Sequence, residues 1–282
     1  MNKVHNDNLY IKSVIKSNKP FYIGRIAGCE LKVAHNFLKG DMFDIVDELY
    51  ELENNAGIKI KDNNSLKRYV QQLIASYDNC TAIAEWETTG KVFTHTGIGQ
   101  QLITSRTPTI PKIDARALEP YYFKNSWMSA LKGKKMLIVH PFTKTFRIQV
   151  PHFKKLFPER DWFENCEIQF ISPPLTLAGN HQNKDWQEHY EPFIQLLKEN
   201  TDFDIALVSA GGYGMLIANV IFKELGKSVM YIGGALQLFF GVIGKRWFDN
   251  KEILKLVNDD WIRPDKDDKP SNFTKVEKGC YW

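Results

Sequence analysis

Four short apolar runs, each closed by glycine or proline and separated from the next by longer stretches, constrain the fold of this chain more than any other feature. They are KKMLIVHPF (Lys134 to Phe142), CEIQFISPP (Cys166 to Pro174), DFDIALVSAGG (Asp202 to Gly212) and KSVMYIGG (Lys227 to Gly234). Continuous Val/Ile/Leu runs of this length mark strands buried on both faces, the condition created when helices cover both sides of a parallel sheet. Helical patterns lie between them. DWQEHYEPFIQLLKEN carries Phe193, Ile194, Leu196 and Leu197 behind Asp185 as a cap, and YGMLIANVIFKELGK carries Leu216, Ile217, Val220, Ile221 and Leu225 before Gly226. The pattern predicts an α/β chain with a Rossmann-like, doubly wound, mostly parallel sheet and helices on both faces.

The first half is more mixed. KPFYIGRIAG (Lys19 to Gly28) reads as a strand entering a glycine turn, and TAIAEW (Thr81 to Trp86) as a second strand. CELKVAHNFLKG, DMFDIVDELYELENNAG (starting at Asp41) and SLKRYVQQLIASYDNC read as helices, and residues 104–127, rich in Pro, Thr and Tyr, as a long connection. This organisation suggests an N-terminal α/β part, 1–127, and a C-terminal Rossmann-like part, 128–282, or one continuous domain.

Composition narrows the partners. Lys and Arg outnumber Asp and Glu by only 37 to 33, and the basic clusters KGKK and HFKKLF are short and isolated; a nucleic-acid surface calls for a clustered stripe, so none is expected. Cys29, Cys80, Cys166 and Cys280 form no CxxC pair and read as reduced thiols. The polar start MNKVHNDNLYIKS lacks a signal-peptide core, which points to the cytoplasm. The most apolar passage, MYIGGALQLFFGVIGKRW, holds an apolar run of about 15 residues, short of the ~20 a spanning helix needs. It reads as a core element at a sheet edge. No GxSxG, Walker A or HExxH motif is present.

The residues that can carry chemistry fall at the predicted carboxyl ends of strands, where open α/β sheets bind ligands. SAGGYG supplies Ser209, Gly211, Gly212, Tyr213 and Gly214 at a strand-to-helix junction whose N–H groups suit an anion, or which is simply a tight turn. A second glycine turn holds Gly233 and Gly234, followed by Gln237. Lys245 and Arg246 offer charge for phosphates, or cap the preceding apolar helix, and Trp247 offers a stacking surface. His140 follows the first strand of this half and suits a base, a hydrogen-bond partner or a turn. GRIAGCE brings Arg25 and Glu30 together, as an ion pair or as ligand-binding groups, and Glu85 ends another strand.

The run VSAGGYGMLIANVIFKELGKSVMYIGGALQLFFGVIGKRW, with LIVHPF before it and CYW after it, resembles bacterial and viral polysaccharide-biosynthesis proteins of the GT-D glycosyltransferase fold. The resemblance covers roughly residues 134 to 250, with YIGRIAGCE as the N-terminal match. It implies a Rossmann-like enzyme that moves a sugar from a nucleoside diphosphate sugar to a glycan or polysaccharide acceptor. In the better-known branch the N-terminal motif reads RxGDGE, whose Asp and Glu form a metal-binding DxE. Here Arg25 and Glu30 match, whereas Gly28 stands in place of the Asp, so the site for Mn²⁺ or Mg²⁺ is incomplete. If a metal is used, Glu30 and Glu85 are its candidate ligands. Without one, the resemblance assigns the leaving-group charge to Lys245, Arg246 and the two glycine turns, with Arg25 also on the donor side. The base for the acceptor hydroxyl is Glu30 first and His140 second. The sequence leaves two alternatives open: another Rossmann-like enzyme, such as a methyltransferase or oxidoreductase, or a non-catalytic glycan-binding protein.

Overall fold

The computed structural model describes residues 3–41 and 45–282. Seven strands form one all-parallel sheet: β1 (Tyr22–Arg25), β2 (Ala82–Glu85), β3 (Lys112–Asp114), β4 (Lys135–Val139), β5 (Glu167–Ile171), β6 (Ile205–Val208) and β7 (Ser228–Tyr231). Their spatial order is β3-β2-β1-β7-β6-β4-β5. β1 pairs with β2 on one side (Ile23 opposite Ala82) and with β7 on the other (Ile23 opposite Met230), so the sheet runs without a break through both halves of the chain. The expected division after residue 127 falls in the connection between β3 and β4.

Alternation along each strand sorts the core into two layers, as the two-residue period of a pleated strand requires. Ile23, Ala84, Ile138, Leu207 and Met230 face one way. Tyr22, Ile83, Leu137, Val139, Val208 and Tyr231 face the other. The first face is covered by α1 (Lys3–Lys16) and the aromatic segments around residues 115–163 and 233–247. The second is covered by α2 (Cys29–Lys39), α3 (Ile45–Asn55) and α4 (Asn63–Asp78). Also on this face lie α5 (Phe93–Arg106), which contributes Ile103, then α8 (Trp186–Glu199) and α9 (Gly214–Lys223). Two shorter helices, α6 (Thr143–Gln149) and α7 (Phe153–Leu156), lie between β4 and β5. The doubly wound arrangement expected from the apolar runs is present.

Local signals explain several boundaries. Asp185 caps α8 in a full capping box with Glu188, and Asp62 accepts a hydrogen bond from Ser65 N–H at the start of α4. The expected helix start at Asp41 runs into residues 42–44, which lie outside the described residues; the described helix begins at Ile45. The passage after β7 becomes a tight 3₁₀ helix, Gly233–Phe240, ended by left-handed Gly241 (φ 64°). Lys245 and Arg246 sit beyond it in a separate turn, Lys245–Trp247, so they do not cap that helix. Among the described residues no helix is long and apolar enough to cross a membrane.

β4 leads outward to β5, whereas β6 leads inward to β7, so the connections leaving these neighbouring strands diverge. Such divergence opens a crevice above the carboxyl ends of the strands.

Candidate functional site

A cleft of about 900 Å³ lies along that edge. The end of β1 contributes Arg25, the start of α2 Glu30, the end of β4 His140, the end of β6 Ser209, and the segment after β7 Gln237. The last residues of the chain fold back over the cleft and add Tyr281 to its wall.

Arg25 is its most unusual member. The guanidinium lies between the rings of Trp86 and Tyr231, 5.5 and 5.4 Å from their centroids, a geometry that attracts a cation to both ring faces. Its Nε is buried without a partner, and the side chain has no hydrogen bond or ion pair among the described residues. The guanidinium is half-buried and its charge is felt by the carboxyl groups of Glu30 and Glu119 without a direct contact to either, so its donors stay open to an anionic ligand. The slot exists because position 233 is glycine: φ is +72°, and a Cβ there would lie 2.1 Å from Arg25 Nη2.

Glu30 occupies the first turn of α2 and is 7% exposed. Cys29 Sγ donates to Glu30 Oε2 at 3.3 Å. Burial raises the carboxyl pKa above its ordinary value, and its own backbone N–H, Cys29 and Arg25 offset this only in part. The residue lines the cleft as a carboxylate with raised basicity.

His140 is 3% exposed, and its Nδ1 accepts the Phe142 N–H at 2.9 Å, which assigns the ring proton to Nε2. Burial pushes its pKa down to about 3. The geometry therefore makes this residue a neutral hydrogen-bond donor in the cleft wall, with the nitrogen that would take a proton already engaged.

The two glycine turns reach the cleft through Gly211, Gly233 and Gly234, but the space beside each glycine is taken up by the protein itself. Gly211 (φ +50°) sits 2.7 Å, measured from its ideal Cβ, from the Ala56 carbonyl, and Gly212 N–H donates to that same oxygen at 2.8 Å. The N–H expected to meet a phosphate is thus spent. A Cβ on Gly212 would come within 2.4 Å of Ile58, and one on Gly214 within 2.2 Å of the Tyr231 ring. Tyr213 is buried and donates its hydroxyl proton to Trp186 O at 3.4 Å; Gly212, Tyr213 and Gly214 do not line the cleft. Gly234 makes room for the Tyr281 ring, 2.3 Å from its ideal Cβ. Overpacking of this kind costs ~1–3 kcal/mol, so Gly214→Ala is expected to lower the free energy of unfolding by about that much in urea titration.

Of the remaining expected residues, Ser209 lines the cleft at 7% exposure. Gln237 is fully buried in the floor, its Nε2 donating to Val242 O and Tyr281 O. Arg246 lines the cleft but is ion-paired with Glu277 and stacked 4.6 Å above the Tyr281 ring. Trp247 lines it too, although only 7% of its surface is exposed. Lys245 is exposed and outside the cleft.

The residues present do not fit a divalent cation, which requires several oxygen ligands. Gly28 offers no side chain, and Glu85 pairs with Lys3 at 3.7 Å and does not line the cleft. Among the described residues no group of three or more His, Cys, Asp or Glu is placed to hold a metal.

Sequence reasoning missed Glu119. It lies in the segment read as a long connection, where Tyr121 O–H donates to Glu119 Oε2, and its side chain lines the cleft. Burial raises its pKa, against the lowering influence of Tyr121, Arg25 and Arg246. The EPYYF run was the available signal: a carboxylate beside clustered aromatics inside an otherwise polar connection. Compared with protein-family models, curated proteins and solved structures, the chain finds no match.

Proposed function

We propose that this protein is a cytoplasmic glycosyltransferase that moves a sugar from a nucleoside diphosphate sugar to a glycan or polysaccharide acceptor. The observation that carries this reading is the unpaired Arg25 guanidinium, held in the same cleft as the basic carboxylate Glu30. Arg25 neutralises the diphosphate as the bond from the anomeric carbon to the phosphate oxygen breaks, and charge stabilisation of this kind is a large part of catalysis. Glu30 takes the proton of the acceptor hydroxyl as its oxygen bonds to the anomeric carbon, a task that favours a carboxylate pKa raised toward the working pH. His140 donates from Nε2 to the bound ligand.

Calorimetry with UDP- and dTDP-sugars is expected to show saturable binding. Glu30→Gln is expected to keep that binding and to lower transfer by about 10²–10⁴-fold. Because Glu30 must be ionised to act, transfer rises with pH along a limb displaced above the ordinary carboxylate range, and the limb disappears in Glu30→Gln. A protein with no affinity for any nucleotide or nucleotide sugar would not support the proposal.

A further inference from the structure

One arm of the cleft is lined by a carboxylate and a half-exposed aromatic ring. Glu119 and Tyr122 enter it from the segment after β3, and Asn250 from the turn before a short helix, Lys251–Leu254. Tyr122 is 42% exposed, yet its ring is fixed at both ends. Asn250 Nδ2 donates to the Tyr122 hydroxyl at 3.3 Å, and Tyr121 meets the ring edge-on at 4.7 Å. Asn250 is itself immobilised, because its Oδ1 accepts the N–H groups of Glu252 and Ile253. Glu119 uses Oε2 to accept from Tyr121, and its other oxygen takes no hydrogen bond from any described residue. The backbone beneath is held by Arg160, whose Nη2 donates to Tyr121 O at 3.0 Å and whose Nη1 reaches Pro120 O at 3.4 Å.

A pyranose has a patch of C–H groups on its ring face and hydroxyls around its rim. A rigid, half-exposed aromatic ring matches the patch, and a carboxylate with a free oxygen matches the hydroxyls through charge-assisted hydrogen bonds. We infer that Glu119 and Tyr122 form a pyranose-binding subsite, with Tyr121, Asn250 and Arg160 as its positioning residues. The subsite rests on the transferase reading only for the source of the sugar, which is either the transferred residue of the donor or the terminal residue of the acceptor.

The test compares wild type, Glu119→Gln, Tyr122→Ala and Tyr122→Phe by calorimetry with UDP and a set of UDP-sugars, and on an array of immobilised oligosaccharides. A donor sugar in the subsite is expected to make Tyr122→Ala and Glu119→Gln bind UDP-sugars about tenfold more weakly or worse, with UDP affinity unchanged. An acceptor sugar shows the same loss on the array instead. Tyr122→Phe keeps the ring and is expected to retain binding, which separates loss of stacking from loss of fold. The inference is overturned if both variants bind every sugar-bearing probe as the wild type does, or if the wild type binds none. A protein that captures array glycans through Tyr122 but binds no nucleotide keeps the subsite and loses the transferase reading.

Discussion

Replacing Arg25 with methionine is expected to lower kcat/KM for sugar transfer by about two to three orders of magnitude, the loss that follows removal of one preorganised charge donor at a developing anion. A guanidinium held between Trp86 and Tyr231, with no hydrogen bond or ion pair to any described residue, keeps its donors for a ligand. Methionine has a similar length and fills the slot with apolar atoms. The fold therefore loses only the cation–π attraction, about 0.5–2 kcal/mol, while binding of the diphosphate collapses. Arg25→Lys is expected to rescue little, because a compact ammonium cannot lie flat between two rings or present a planar fork. Steady-state kinetics with calorimetry of UDP checks both variants; wild-type affinity in Arg25→Met would remove the phosphate role.

The second large effect is on acid stability. His140 has a folded-state pKa of about 3, set by burial, against an ordinary value of 6.5. Between these limits the unfolded chain binds a proton that the folded chain refuses, so stability is complete above pH 6.5 and is lost as pH falls through about 3. The shift corresponds to about 4–5 kcal/mol. His140→Asn places an amide oxygen where Nδ1 accepts the Phe142 N–H and cannot charge, so its unfolding free energy is expected to lose that slope. Glu30 acts in the opposite sense: its pKa is raised by burial, so the folded state keeps a proton longer and gains stability as pH falls through its own window. Urea titrations of His140→Asn and Glu30→Gln across pH 3 to 7 separate the two. An unchanged acid slope in His140→Asn would sink the assignment.

The sheet was legible because its signal is redundant. Each buried strand carries its own apolar run, and β4, β5, β6 and β7 lie within the expected segments. Elements with a weaker signal escaped notice. α5 reads FTHTGIGQQLITSR, with two glycines and no apolar stripe at helical spacing, and β3 is only three residues long. The mainly polar α1 lies largely in the start MNKVHNDNLYIKS, whose pattern predicts no element. Arg25, Glu30, His140, Ser209, Gly211, Gly233, Gly234, Gln237, Arg246 and Trp247, singled out by position relative to strand ends, line one cleft. The same rule placed Gly212, Tyr213, Gly214, Lys245 and Glu85 there too, and they line no part of it. A glycine in a sequence shows that space is needed at that point; only the packed structure shows what occupies it, here the Ala56 carbonyl, Ile58, Tyr231, Arg25 and Tyr281. The EPYYF run could not by itself place Glu119, because its cleft position depends on Arg160, some forty residues later, bonding to the carbonyls beside it.

The central place of β1 has a consequence for synthesis. Ile23 reaches its register with Met230 only after roughly 200 further residues have been made, and pairings so distant in sequence form late and slowly. Until then one edge of the strand that carries Arg25 stays open, a hazard for mispairing with other chains. The slot that orients the guanidinium is closed by Tyr231 and Gly233, residues of that same late segment. A nascent chain can therefore gather much of its helical layer early, yet it acquires a working anion site only when the final strand docks.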